Sequence, residues 1–191
     1  MSNAASRPPL TYAEYVSFER AAPTKHEFVN GEICAMAGGT ADDSAIAANI
    51  IGALLSALRG SPCRPYTSDL RVRTADDVGA YPDVTVVCGD QQFSDDVHDE
   101  LLNPAVIFEV LSPSSESYDR GEKFAHYRSI ESLREYVMIA SERRRVDVCL
   151  RREDGVWELR SYTNGGFALS TLPVRFEIDA LYEGTSLPPT A

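Results

Sequence analysis

Three carboxylates and one lysine are the residues of this sequence whose types and spacing could do chemistry. Glu109 sits inside the apolar run Val106, Ile107, Phe108, Val110, Leu111. Asp83 directly follows Pro82 and opens the run Val84, Thr85, Val86, Val87. Glu27 precedes an Asn30-Gly31 pair, and Lys123 comes after the Ser112-Pro113-Ser114 turn that ends the Glu109 run. Alternate side chains of a strand share a face, so Glu109 points with Ile107 and Leu111, and both faces of its strand are apolar. A carboxylate so placed is poorly solvated; such groups are paired, hold a metal or take up a proton. Two carboxylates about 4 Å apart repel by ~4 kcal/mol at an effective dielectric of 20. A divalent cation converts that cost into binding. All-oxygen ligation suits Mg²⁺ or Mn²⁺, with waters filling the remaining octahedral positions. Asp83, Glu109 and, less securely, Glu27 are therefore the expected metal ligands. Lys123 beside them would orient an attacking water or stabilise a phosphorane-like transition state.

The surrounding elements must bring these groups together. Thr11-x-x-Glu14 is a capping-box pattern that starts a helix. Two short alternating runs around Asn30-Gly31 predict a hairpin. From Asp42 to Leu58 the spacing is helical, with Ile46, Ile50, Leu54 and Leu58 on one face and Asp42, Asp43 or Ser44 as the cap. Strands are expected at Ser68 to Arg73, Asp83 to Cys88, 105 to 111 and Tyr136 to Ile139, with a helix from Tyr118 to Ile130. In that helix Asp119, Lys123 and Tyr127 form one stripe. Strand, helix, strand implies a right-handed crossover between parallel strands. Residues 89–103 read as a surface loop or short helix, and the chain beyond 143 as an antiparallel meander. The expected fold class is α/β: a mixed β-sheet core flanked by helices.

Composition narrows the function. A chain of 191 residues that is 43% hydrophobic and 25% charged suits one soluble domain. We expect a flexible segment at 1–10 and a single domain over 11–187. No run approaches the ~20 apolar residues of a membrane span, and the start lacks a signal-peptide layout, so a cytoplasmic location is expected. Cys34, Cys63, Cys88 and Cys149 form no C-x-x-C pair and read as reduced, mostly buried thiols. A net charge of −11 argues against a protein that coats nucleic acid. An enzyme touching a few phosphates through metal ions is compatible with it.

The Pro82-Asp83, Glu109 and Lys123 arrangement resembles the PD-(D/E)XK nuclease motif, although Leu111 stands where that motif has its lysine. Closer still is the Uma-type family of bacterial endonucleases with a restriction-endonuclease-like fold. "HEFVNGEICAMAGG", "SDLRVR", "YPDVTVVC", "FEVLSPSS" and "DRGEKFAHYR" carry the match, spanning roughly residues 11 to 151. The resemblance implies Mg²⁺-type phosphodiester hydrolysis, with catalytic residues Asp83, Glu109, Lys123 and Glu27. In it the lysine has migrated to the following helix, here Lys123, and Glu27 matches the additional acid. Relatives often carry a histidine near Asp42-Asp43, where this chain has none. Nucleic acid, DNA first, would be the substrate, and a homodimer would suit cleavage of two strands. The competing class is a catalytically silent nuclease-fold module that binds protein or nucleic acid. A third is a hydrolase of another phosphoester. Spacing alone also allows Asp119–Lys123 to be a surface i,i+4 pair, and His26, His98 and His126 suggest no catalytic pair.

Overall fold

The computed structural model describes residues 8–36, 38–95 and 97–188. Residues 1–7 of the segment expected to be flexible lie outside the described residues. Helix α1 (Tyr12–Glu19) carries the expected capping box, with Thr11 and Glu14 bonded reciprocally. Strands β1 (His26–Val29) and β2 (Glu32–Ala35) form the expected hairpin. Its turn needs positive φ at both central positions, and Asn30 and Gly31 supply φ of 52° and 85°. Helix α2 (Ala41–Ala57) buries Ile46, Ile50 and Leu54 as their spacing predicted. Its cap is Thr40, with Asp43 as the reciprocal partner, so Asp43 acts inside the first turn and is not the cap itself.

The chain then runs through β3 (Cys63–Thr67), β4 (Arg71–Arg73), β5 (Gly79–Ala80), β6 (Val84–Cys88), β7 (Glu100–Leu101) and β8 (Val106–Leu111). Next come α3 (Glu116–Tyr118), a π-helical turn (Asp119–Lys123), α4 (Phe124–Tyr127) and β9 (Glu135–Ala140). Strands β10 (Val146–Arg151), β11 (Trp157–Tyr162), β12 (Gly166–Ala168) and β13 (Arg175–Glu177) follow, and α5 (Ile178–Leu181) comes last.

The central six-stranded sheet has the order β11-β10-β9-β8-β6-β3. β8 and β9 pair in parallel, as a crossover through the intervening helix requires. The neighbouring pairs β6/β8 and β9/β10 are antiparallel. Even-numbered residues of β8 (Val106, Phe108, Val110) pack with α2 and the C-terminal strands. Odd-numbered Ile107 and Leu111 pack on the other face with Tyr127, Ile130 and Tyr136. Glu109 belongs to this second face, beneath the helix that carries Lys123. A five-stranded sheet, β2-β1-β5-β4-β7, flanks this side and brings Glu27 from β1.

Three local expectations are corrected. Cys63 and Cys88 are joined in a disulfide, not reduced, because the β3/β6 register sets them directly opposite with Cα atoms 3.9 Å apart. Cys34 and Cys149 are free thiols. The stretch 89–103 contains β7, which pairs in parallel with β4. The expected terminal meander becomes helical at Ile178–Leu181, where Ile178 and Leu181 are buried against the α2 face of the sheet. No helix among the described residues is long and apolar enough to cross a membrane.

Candidate active site

The β6/β8 register pairs Val84 with Phe108 and so sets Asp83, one residue before β6, opposite Glu109. Asp83 Oδ2 accepts the Val110 N–H at 2.7 Å, which locks that carboxylate to the neighbouring strand. Lys123 arrives from the helix above. In a regular α-helix positions i, i+4 and i+8 drift about 40° per step. The π-helical turn at Asp119–Lys123 widens the spiral. Asp119, Lys123 and Tyr127 all stay buried, at 4%, 5% and 0% exposure. Such single π turns recur at functional sites.

Lys123 Nζ lies 2.9 Å from Glu109 Oε1, 3.0 Å from Glu27 Oε1 and 3.5 Å from Asp119 Oδ1. The Tyr127 hydroxyl donates to Glu109 Oε1 at 3.0 Å, and the Tyr136 hydroxyl donates to the Asp119 carbonyl at 3.0 Å. Leu111, where the related motif has its lysine, is buried in the core beside Tyr127 and Tyr136. The ammonium thus reaches the strand's acids from the helix. The four residues expected from sequence, Glu27, Asp83, Glu109 and Lys123, line one cavity of about 470 Å³.

Two further acids that the sequence reading did not assign to the site, Asp43 and Asp119, line the same cavity. Asp119 had a signal, its place in the Lys123 stripe. Asp43 had its place at a helix start, near the position where the resemblance puts a histidine in relatives. Five carboxylates therefore face one ammonium: Glu27, Asp43, Asp83, Glu109 and Asp119 against Lys123.

Burial dominates the electrostatics. It raises the proton affinity of Glu109 well above the usual carboxylate range, against the pull of Lys123, and the charges of Asp119 and Asp83 push the same way. Asp83 is raised by burial too, with the Val110 N–H and Lys123 opposing and Asp119 and Asp43 adding to the rise. Asp119 is raised by burial against Lys123. For Lys123 burial favours the neutral amine, yet Glu109, Glu27 and Asp119 together win and hold it protonated. The cavity also collects unsatisfied polar atoms. Glu27 Oε1, Asp43 Oδ1 and the Tyr118 hydroxyl are buried without a hydrogen-bond partner, and all three residues line it. Buried polar groups are normally paired, so this wall is built to meet polar groups that are not its own.

Other candidates fall away from the site. Arg71 is buried against Glu100, and Arg120 pairs with Glu116 and Asp147. Asp69 pairs with Lys25. His26 pairs with Glu19, His126 with Asp76, and His98 stacks on Phe93.

Comparison with known proteins adds to this geometry. The chain is similar to "Uncharacterized protein slr1290" of Synechocystis sp., at 31% identity over 96% of each chain. It is also similar to "Uncharacterized protein sll1609" of the same organism, at 34% identity over 78% of this chain and 85% of that one. Its fold matches the crystal structure of a "putative nuclease belonging to DUF820" from Anabaena variabilis, with a TM-score of 0.74 at 17% identity, over 91% of this chain and 98% of that one. The family model of Uma2, described as "Putative restriction endonuclease", matches residues 12–180, and the chain belongs to that family.

Proposed function

We propose that this protein is a divalent-cation-dependent nuclease that hydrolyses phosphodiester bonds of nucleic acid, with DNA as its substrate. The observation that carries the reading is the pairing of Asp83 and Glu109 across adjacent strands, in a cavity where carboxylates outnumber the single ammonium. Among the described residues no three His, Cys, Asp or Glu side chains gather as a ready-made metal cage. The donor set fits Mg²⁺ or Mn²⁺ nonetheless, because a small hard cation uses one or two carboxylates and keeps waters or phosphate oxygens in its other positions.

Asp83 and Glu109 would hold the ion. Glu27 would assist, chiefly by sharing Lys123 with Glu109. When bound, the cation supplies Lewis-acid polarisation of a phosphoryl oxygen. Lys123, held protonated by its three acids, supplies fixed positive charge where negative charge develops on the phosphoryl oxygens. Tyr127 keeps Glu109 Oε1 occupied, so the carboxylate holds one orientation.

The acidic balance, −11 overall, favours a second reading: a module of this fold that binds without cutting. Nicking of supercoiled plasmid and of single-stranded DNA under Mg²⁺ or Mn²⁺, by wild type and Asp83→Ala, separates the two. We expect cation-dependent nicking by the wild type and none by the variant. A wild type that neither binds the cation nor nicks DNA would overturn the enzyme reading. Cleavage of a small phosphodiester but not of DNA would move the substrate class.

A further inference from the structure

We propose that Asp43 takes the proton of the attacking water, which makes it a catalytic residue alongside Asp83, Glu109 and Lys123. The proposal rests on the nuclease reading above and deepens it.

The two oxygens of Asp43 have different surroundings. Oδ2 belongs to the helix cap: it accepts the Thr40 N–H at 2.6 Å and the Thr40 hydroxyl at 2.9 Å, while Thr40 Oγ1 accepts the Asp43 N–H at 3.2 Å. The cap fixes the side chain in place. Gly39 lets the preceding loop run close over it, since a Cβ there would come within 3.3 Å of the Asp43 Cβ and Oδ2. Oδ1 is buried and accepts no hydrogen bond among the described residues. Leaving a buried acceptor unmatched costs about 1–3 kcal/mol. A rigid carboxylate with one free oxygen, in the wall of the cavity that holds Asp83 and Glu109, is placed to receive a proton from a molecule bound there.

The other groups in the cavity are already engaged. Lys123 is an ammonium ion-paired with Glu109 and Glu27, and so has no lone pair to offer. Glu109 Oε1 accepts from Tyr127 and lies against Lys123, and Asp83 Oδ2 accepts from the Val110 N–H. Their remaining oxygens are those proposed for the cation. Asp119 is bound to Lys123. Two acceptors of the cavity are buried without a hydrogen bond, Glu27 Oε1 and Asp43 Oδ1; Glu27 Oε1 lies 3.0 Å from the Lys123 ammonium, which leaves Asp43 Oδ1 as the one with no cation beside it among the described residues.

In the step itself, the water oxygen forms a bond to phosphorus as the bond from phosphorus to the leaving ester oxygen breaks, that oxygen departing with the electron pair. The water proton passes to Asp43 Oδ1 and then to solvent. The leaving oxygen takes its proton from solvent. Lys123 faces the charge that gathers on the phosphoryl oxygens.

Asp43→Asn tests this directly. The amide oxygen preserves the Thr40 cap while the NH₂ replaces the free acceptor by a donor. Three quantities are measured on wild type and variant: the thermal midpoint, Mn²⁺ affinity by calorimetric titration, and single-turnover cleavage of plasmid at saturating Mn²⁺. We expect cleavage to slow by about 100-fold or more, with Mn²⁺ affinity within about 3-fold and an unchanged midpoint. Cleavage within about 3-fold of wild type would overturn the proposal. So would a loss of Mn²⁺ affinity as large as the loss of rate, which would make Asp43 a metal ligand instead. Should the variant not fold, Asp43→Ser keeps a capping hydroxyl and is judged by the same three measurements. A wild type that neither binds Mn²⁺ nor cleaves would instead fail the nuclease reading, a different result from a competent wild type matched by its Asp43 variant.

Discussion

Arg71 and Lys123 are both buried cations, 1% and 5% exposed, ringed by carboxylates and tyrosines. Arg71 donates to Glu100 Oε2 at 2.7 Å, and the Tyr12 hydroxyl donates to the same carboxylate. Its guanidinium lies over the Tyr15 ring at 5.4 Å and near Asp99 at 3.6 Å. The register explains the partnership: β4 and β7 pair in parallel with Arg71 beside Glu100. Arg20 and Arg73 extend the set with Asp95, Asp99 and Asp77, so positive and negative groups nearly balance. Lys123, by contrast, is the only cation among the residues lining a cavity with five carboxylates. One cluster is closed and balanced; the other is open and carries an excess of one sign. Balance marks a scaffold, and here it knits α1 and the second sheet together. Excess beside a cavity is what the proposed cation would complete.

The comparison predicts opposite signs for the same kind of substitution. The largest effect belongs to the balanced cluster: Glu100→Gln removes the carboxylate 2.7 Å from buried Arg71 and leaves it only Asp99 at 3.6 Å, which should cost about 3–5 kcal/mol. For a chain of this size that lowers the thermal midpoint by on the order of 10 °C. Differential scanning calorimetry checks it, and an unchanged midpoint would break the contrast.

In the site, Asp83→Asn should do the reverse, stabilising the protein by about 0.5–2 kcal/mol in chelator while abolishing cleavage. The sign follows from the raised proton affinity of Asp83. Its ionised form is disfavoured on folding, so the native state binds the proton more tightly than the unfolded chain does. The gain from Asn is therefore full above the folded-state value, and shrinks as pH falls through it towards about 3.9, the unfolded Asp value. Urea titrations at pH 8 and pH 4 read this out; a larger gain at pH 4 would contradict it.

A smaller effect is expected at Tyr127→Phe, which removes one hydrogen bond to Glu109 and keeps the ring in the core. Stability should fall by about 0.5–1.5 kcal/mol. Mn²⁺ affinity should weaken by roughly 10-fold or more, as for outer partners of metal ligands. Equal Mn²⁺ affinity in variant and wild type would mean that the hydroxyl serves packing alone. Smallest is Thr40→Ala, which removes the cap of α2 and should cost about 1 kcal/mol. Chemical denaturation checks it, and a loss above about 3 kcal/mol would show that the Thr40–Asp43 pair does more than cap a helix.

What the sequence revealed of this arrangement follows from the range of each interaction. The Thr11 capping box, the Asn30-Gly31 turn and the buried face of α2 depend on neighbours a few residues apart, and their patterns are written locally. The direction of Glu109 follows from strand alternation, and the return of Lys123 from a short crossover. Register across distant strands has no local signature. That is why the sequence suggests two separate thiols at Cys63 and Cys88, which are 25 residues apart. The two-residue strand β7 likewise looks like loop in sequence, being defined by its partner β4 and not by its own composition. The pairing of Arg71 is also non-local, because Glu100 comes alongside from a strand 29 residues on. Asp43 is the sharpest case. Its spacing from Thr40 announces only a cap, and its second oxygen acquires meaning when β6 and β8 bring Asp83 and Glu109 to the same cavity.

The claim that the excess charge around Lys123 serves a cation is tested most directly by calorimetric titration of Mn²⁺ into wild type and Glu109→Gln. The account predicts saturable binding by the wild type that weakens by at least 10-fold in the variant, with both proteins folded. A wild type that binds no Mn²⁺, or a Glu109→Gln variant that binds it as tightly, would contradict the account.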